Sequence, residues 1–480
     1  MTVTAVSIRP RGLVEDESPP RSRTVEVEPD GHRPELLALD AGEQYRFGFD
    51  MGACIGCHSC EVACAEQNGL PAGTVWRRVG EIEGGDHPFT RRFHLSMSCN
   101  HCLEPACLQG CPTGAYIKLD NGIVAHQADD CIGCQYCTWN CPYQVPAFQP
   151  DRRIVTKCDM CQPRLAEGLK PACVGACPTN AITVEKVNVA EWRADHSAAD
   201  APELPDSSIT LSTTRITLPE GVPLETFAAS SWNLRPEHPH WPLVWLTVLS
   251  QVALGVSATA STTTHRFTAF ALAAVAMAGA LLHLGRPAHA WKALRGLRRS
   301  WLSREVAALS VYAGAAAGAV VVPELTVPAA VLGGVGVYAS ARLYVVPGRP
   351  AWNSPLTIVR FFATALATGP ALTGHVELAA VGAVLAVFAS VANWLRLSRR
   401  DEQSWIGSVQ LELHWFRRWS IVRFALVALG VVAAIAGGSA VGIAAALIAA
   451  EVVARWLFFV TVVPLNMPGS FWRHTVAGQR

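Results

Sequence analysis

The residues whose spacing speaks of chemistry are 16 cysteines, all lying between Cys54 and Cys177 of a 480-residue chain. They form four groups of four. Cys54, Cys57, Cys60 and Cys64 read C-x2-C-x2-C-x3-C, and Cys131, Cys134, Cys137 and Cys141 repeat it. Cys99, Cys102, Cys107 and Cys111 keep the first and last gaps but lengthen the middle one, as do Cys158, Cys161, Cys173 and Cys177. Pro112, Pro142 and Pro178 follow the last cysteine of three groups, and Ala65 follows that of the first. Such runs ligate [4Fe–4S] clusters, the fourth cysteine serving the other cluster of a pair. At four thiolates per cluster, the 16 cysteines predict four clusters with no sulfur left over. Zinc draws C-x2-C pairs from separate places, and disulfide frameworks belong to short secreted chains. Neither suits this crowding.

Crossed ligation predicts the sharing. Cys54, Cys57 and Cys60 go with Cys177, and Cys158, Cys161 and Cys173 with Cys64. Cys99, Cys102 and Cys107 go with Cys141, and Cys131, Cys134 and Cys137 with Cys111. The choice of inner and outer pairs is a topological expectation, less firmly set by sequence than the identity of the ligands.

The elements that must hold these cysteines are of two kinds. Charged residues make up 16% of the chain and hydrophobic ones 50%, an imbalance that falls after about residue 240. Residues 1–44 have the polar, Pro-rich composition of a disordered tail, without a secretory or twin-arginine signal. Residues 45–185 read as an α+β, duplicated ferredoxin-like four-cluster domain. Residues 186–240 read as a linker in which ITLSTTRITLPEG suits a short strand. Residues 241–463 carry eight apolar blocks, at about 241–260, 267–284, 305–323, 328–346, 356–373, 378–395, 421–437 and 441–463. Each nears the roughly 20 residues that span a bilayer, so an all-α eight-helix transmembrane bundle is expected, followed by a tail over 464–480. The net charge of +1 and the lack of a basic-aromatic pattern argue against a nucleic-acid partner.

The segments CIGCHSCEVAC, CNHCLEPACLQGCPTGA, CIGCQYCTWNCPY and KCDMCQPRLAEGLKPACVGACPTNAI resemble the four-cluster electron-transfer subunit of the dimethyl sulfoxide reductase family. WPLVWLTVLSQ, HLGRPAHAW, SWLSREVA and EVVARWLFF resemble the membrane-anchor subunit of the same family, so the chain looks like a fusion of two subunits. The resemblance implies menaquinol as electron donor and a separate molybdopterin-containing catalytic partner, in contact with the membrane lipid and its quinone pool. His283 in HLG-x-P and Glu305 in S-x-E match the family's quinol-site pair. Quinol oxidation releases two protons, and a histidine and a carboxylate at the membrane rim suit their capture. Arg286 and His289, in the same loop, are further quinone-binding candidates; the family often has arginine where His289 stands.

Other readings are the same architecture run backwards, delivering electrons to quinone from a formate-type dehydrogenase, a polysulfide or nitrite reductase anchor, and a membrane-tethered redox sensor. Arg342, Arg360, Arg423 and Arg455 also fall within spans, where arginines near span ends are expected to snorkel. Glu451 and Arg455, four residues apart, are expected to neutralise each other.

With eight spans, both ends of the bundle share the side of the cluster domain. Loops on that side hold 14 Lys or Arg, namely Arg286, Lys292, Arg295, Arg298, Arg299, Arg304, Arg349, Arg396, Arg399, Arg400, Arg417, Arg418, Arg473 and Arg480; the opposite loops hold one, Arg266. The positive-inside rule then places the cluster domain of this multi-pass cell-membrane protein in the cytoplasm. The resemblance implies the exported face instead, since many relatives are carried outward by a partner with a twin-arginine signal.

Overall fold

The computed structural model describes residues 39–85, 90–222, 227–229 and 234–465. The expected tails therefore fall outside the described residues, apart from 39–44 and 464–465, and so do Arg473 and Arg480. In chain order the cluster half holds β1 (Glu43–Asp50), α1 (Ser59–Gln67), β2 (Arg78–Gly84), β3 (Arg91–Met97), α2 (Ala106–Gly110), β4 (Tyr116–Lys118), β5 (Val124–His126), α3 (Tyr136–Asn140), β6 (Ala147–Gln149), β7 (Ile154–Thr156), α4 (Gln162–Ala166), α5 (Ala172–Gly175), β8 (Ile182–Asn188), α6 (Val189–Ala194) and β9 (Arg215–Thr217).

β1 is the middle strand of one sheet, antiparallel to β8 and parallel to β9. Phe47 and Phe49, two apart and so on one face of β1, are both buried in the core of this half. The hairpin β2–β3 adds Ile82 and Leu95 to the same core. Two short antiparallel ladders, β4–β5 and β6–β7, flank the inner cysteine runs. The strand expected in ITLSTTRITLPEG is β9, with Ile216 buried against the core. The stretch read as a linker is thus partly sheet: β1 needs a partner on each edge, and β8 and β9 supply them.

Among the described residues, eight helices are long and apolar enough to cross a membrane. They are α7 (Trp241–Thr259), α8 (Thr263–Leu281), α9 (Trp301–Val321), α10 (Thr326–Tyr344, continuing a short turn from Pro323), α11 (Pro355–Leu372), α12 (Val376–Leu397), α14 (Arg417–Ile435) and α15 (Ala440–Val460), with the short α13 (Gln403–Gln410) lying before α14. At 1.5 Å per residue, spans of 18–22 residues reach about 27–33 Å, the thickness of a hydrocarbon core. α7 is central, 72% buried, packing on α8, α10, α11 and α15, whereas α8 is 17% buried and peripheral. Gly255 of α7 lies against Gly369 of α11, where a Cβ on either would strike the other backbone. Small residues permit such close crossings where no water drives helices together.

Two boundaries shift from expectation. α9 begins at Trp301, which puts Glu305 more than one turn inside the helix, and α8 ends at Leu281, which puts His283 in the turn after it. Arg304, Arg396, Arg417 and Arg418, counted as loop residues above, lie in the cluster-side ends of helices.

The cluster half is seated on the bundle by paired backbone and charged contacts. Arg286 donates its N–H to Ile132 O (3.0 Å) and its guanidinium to Ala128 O (3.0 Å). Ser300 Oγ donates to Gly110 O (2.7 Å), and Lys292 and Arg295 both reach Asp130 Oδ1 (3.1 and 2.9 Å). Gly285 faces the Arg153 carbonyl so closely that a Cβ there would clash.

Candidate functional site

Four loops of the cluster half repeat one conformation. In each opening C-x2-C the second intervening residue is left-handed: Gly56 (φ 67°), His101 (44°), Gly133 (68°) and Met160 (61°). Only glycine adopts this region at no cost, so His101 and Met160 are held there by their surroundings. The turn aims backbone N–H groups at sulfur: His101 N on Cys99, Gly133 N on Cys131 and Met160 N on Cys158, each at 3.4 Å.

Three cavities are walled by crossed sets of thiols. Cys54, Cys57 and Cys60 meet Cys177; Cys99, Cys102 and Cys107 meet Cys141; and Cys131, Cys134 and Cys137 meet Cys111. Cys64 lies in the remaining set, near Cys161 and Cys173, with Cys158 beside all three. Among the described residues, no three His, Cys, Asp or Glu side chains converge as one metal ion requires. The sulfurs instead surround spaces of about 290–370 Å³. A multi-iron core, each iron taking one thiolate, suits that spread better than a single tetrahedral ion.

The surroundings suit such a core electrically. Burial pushes the Cys64 and Cys102 thiols up to about 12, and Cys54, Cys141 and Cys161 up to about 11. These thiols ionise readily only when metal supplies the compensating charge. Further donors touch sulfur: Thr210 Oγ1 on Cys102 (3.2 Å), Tyr116 Oη on Cys137 (3.3 Å) and Ser96 Oγ near Cys60 (3.4 Å). Arg77 is fully buried between two thiol sets, held by Ser96 and Ser98, and Lys157 is buried between Val124 O and Cys158 O.

One thiol set meets the membrane bundle. Tyr136 and Trp139 of α3 project from between its cysteines, and Tyr136 Oη donates to Leu343 O (2.8 Å). Trp139 is 4% exposed and touches His240, Tyr344, Trp352 and Phe459, with ring centroids 5.2–6.3 Å apart. His283 Nε2 lies 3.0 Å from Cys134 O. A carbonyl only accepts, so Nε2 carries the hydrogen and Nδ1 presents a lone pair. Burial and the neighbouring His283 hold His240 down to about 3, neutral in ordinary conditions.

Glu305 is 6% exposed, and its Oε1 has no hydrogen-bond partner among the described residues. Tyr136 and Tyr344 both lie near it. His283 thus sits against Cys134 and Trp139, and Glu305 near Tyr136 and Tyr344, each of them on the side of the bundle that meets the thiol set of Cys131. Arg286 is occupied at the docking seam, and His289 follows it with Nδ1 buried and unpartnered. Tyr136, Trp139, His240 and Tyr344 were not singled out in the sequence. The position of Trp139 inside a cysteine run is the one signal that pointed to them.

Glu451 and Arg455 do not pair directly: Thr364 bonds Glu451 (2.7 Å), and Arg455 bonds Gln251 (2.9 Å). Nor do Arg423 and Arg455 snorkel, being 1% and 4% exposed. They turn inward toward polar partners on neighbouring helices, Arg423 to Ser390 of α12 and Arg455 to Gln251 of α7.

Fold and site define an iron–sulfur electron carrier built onto a multi-pass membrane anchor. Residues 90–187 match the 4Fe-4S dicluster domain family, and residues 236–392 match the DMSO reductase anchor subunit family. A chain of the anaerobic dimethyl sulfoxide reductase of Escherichia coli is 40% identical over 167 residues, 33% of this sequence and 82% of that protein. Its counterpart in Haemophilus influenzae is 39% identical over 177 residues, 35% and 86% of the two sequences. A sulfite dehydrogenase subunit of Allochromatium vinosum is 40% identical over 155 residues, 28% and 65%. This protein belongs to the dimethyl sulfoxide reductase family, as an iron–sulfur subunit and an anchor subunit on one polypeptide.

Proposed function

We propose that this chain oxidises menaquinol at the junction beneath Tyr136 and passes the electrons to a molybdopterin-containing catalytic subunit. The observation that supports the reading is a histidine held on Cys134 O and a buried carboxylate with an unpartnered oxygen near Tyr136, both next to the thiol set nearest the bundle. A quinol leaving as quinone sheds two electrons and two protons. The Glu305 carboxylate takes one proton and His283 Nδ1 the other, while Nε2–H stays fixed on Cys134 O. Trp139, Tyr344 and Trp352 wall the site with rings and exclude water. Arg286 serves it by holding the His283 loop on the cluster half, and His289, three residues on, is a further candidate for the quinone.

Four [4Fe–4S] clusters, held by the crossed cysteine sets, supply one-electron carriage. The sets follow one another from the bundle outward. Tyr116 joins the first two, near Cys137 and Cys107; Cys158 lies beside Cys99; and Arg77 joins the last two, near Cys60 and Cys64. The outermost set includes the exposed Cys57, with Ile55 62% exposed beside it, a surface suited to the catalytic partner. By its loop charges the cluster half faces the cytoplasm. The likeness to a sulfite dehydrogenase subunit favours, as a second reading, flow in the opposite sense into quinone.

The test is anaerobic purification of the intact chain, with iron analysis and reduction by a menaquinol analogue. About 16 iron per chain is expected at four per cluster, with rapid bleaching of cluster absorbance by the quinol. Little iron, or clusters that no quinol reduces and no quinone oxidises, refutes the reading.

A further inference from the structure

A second polar site lies behind the rings of the junction, where Arg455 stands over Phe361 and Phe458, and its charged groups are given no part in the chemistry above. Arg360 of α11, Arg423 of α14 and Arg455 of α15 line one small cavity. Each is five or six residues from the cluster-side end of its helix, about 8 Å deep at 1.5 Å per residue. Three helices thus deliver a guanidinium to one level of the membrane. Thr364 and Glu451 complete the polar wall.

The donors outnumber the acceptors. Arg423 Nη2 bonds Ser390 Oγ (2.7 Å), but its Nε and Nη1 have no hydrogen-bond partner among the described residues. Glu412 Oε1 stands 3.7 Å from that Nη1, an ion pair too long for a hydrogen bond, while Glu412 Oε2 is taken by Trp394 Nε1 (2.9 Å). Arg455 Nε and Gln251 Nε2 are likewise unpartnered, and both residues are buried. Among the described residues, Glu451 is the one acid on the wall, against three cations that keep their protons. Buried donors without acceptors are costly, and charge inside a bilayer is compensated or faces a polar cavity.

We propose that this cavity binds a phosphate-type oxyanion, taken from a membrane phospholipid headgroup or free in solution. Planar guanidinium forks match tetrahedral oxyanion edges, and several arginines around one small space are the arrangement that phosphate recognition uses. The occupant accepts from Arg423 Nε and Nη1 and from Arg455 Nε, and offsets the wall's excess positive charge. Its acyl chains, where it is a lipid, leave along the lipid-facing side of the bundle.

The test uses the full chain and no turnover, so it stands or falls apart from the quinol reading. Native mass spectrometry follows adducts on protein taken from phosphatidylglycerol nanodiscs and, after delipidation, on protein given inorganic phosphate. A phospholipid adduct that survives delipidation identifies the headgroup source. An inorganic phosphate adduct, with a thermal shift absent from chloride at equal ionic strength, identifies the free anion. Arg455→Gln is expected to weaken either adduct at least tenfold. Glu451→Gln, which removes the wall's negative charge, is expected to tighten it severalfold, an outcome that mere structural damage does not produce. Should Arg455→Gln fail to fold, Arg360→Gln serves in its place, with cluster absorbance reporting the fold. No adduct from either source, or adducts unmoved by all three variants, overturns the proposal.

Discussion

The two polar sites inside the anchor handle charge in opposite ways. At the junction, Glu305 lies near Tyr136 and Tyr344 with one oxygen unpartnered, which suits the proton acceptor proposed above. In the arginine cavity the charged groups are mostly guanidinium, which does not titrate in proteins, and Glu451 is tied to Thr364. In the proposed reading one site holds a movable charge beside the thiol set, and the other holds a fixed charge behind the rings, Arg455 over Phe361 and Phe458. Both lie near the cluster-side face, yet depth alone does not decide their use. The neighbouring groups do.

The sharpest break between them is removal of each carboxylate's charge. Glu305→Gln is expected to slow menaquinol oxidation by about 10²–10⁴-fold, the usual worth of a positioned acid or base, with iron content unchanged. Stopped-flow bleaching of the clusters by a quinol analogue reads it, and wild-type rates would remove Glu305 from the chemistry. Trp139→Ala empties a buried, ring-lined space at the junction and leaves the arginine cavity alone. A loss of about 3–5 kcal/mol is expected from such a truncation, seen as an earlier thermal transition. An unshifted transition would mean that the ring contacts of Trp139 carry little energy.

Glu451→Gln supplies the contrast. Quinol oxidation is expected to stay within about threefold of wild type, because the fixed-charge site takes no proton from quinol. A loss as deep as that of Glu305→Gln would merge the two sites into one pathway.

The smallest effect belongs to the docking seam. The hydrogen bond and attraction of Lys292, joined by those of Arg295, outweigh the upward push of burial and leave the Asp130 carboxyl below its ordinary value. A depressed carboxylate stabilises above its unfolded pKa and loses that contribution as pH falls through the folded one. Seating of the cluster half should therefore loosen only in acid, below about pH 4. At neutral pH, Asp130→Asn should cost about 0.5 kcal/mol, as half-exposed pairs do, measured by denaturant melts at two salt concentrations.

How much of this was legible depended on whether chemistry or neighbourhood decided it. The cysteine runs announce themselves, because ligand geometry forces their spacing whatever fold surrounds them. The eight spans follow from composition, because hydrocarbon tolerates little else. His283 and Glu305 are singled out as candidates by their local motifs alone. The arginines were misjudged, since each taken singly resembles a snorkelling side chain; only the adjacency of α11, α14 and α15 brings them to one cavity. Periodicity marks a helix's face but not which helix meets it. Likewise β8 and β9 flank β1 although the whole cysteine-rich stretch separates them from it in sequence, and nothing local to residues 186–217 marks a sheet edge.

The insertion of α3 into the bundle bears on biogenesis. Tyr136 and Trp139 are interleaved with Cys137 and Cys141, so the turn that presents them takes shape with the iron it holds. Until metal arrives, the bundle lacks the indole that fills the space between His240, Tyr344, Trp352 and Phe459. Metallation and completion of the membrane core become a single event. A polypeptide starved of iron would carry an open cleft at the bilayer surface, a mark by which membrane proteases could tell immature copies from finished ones.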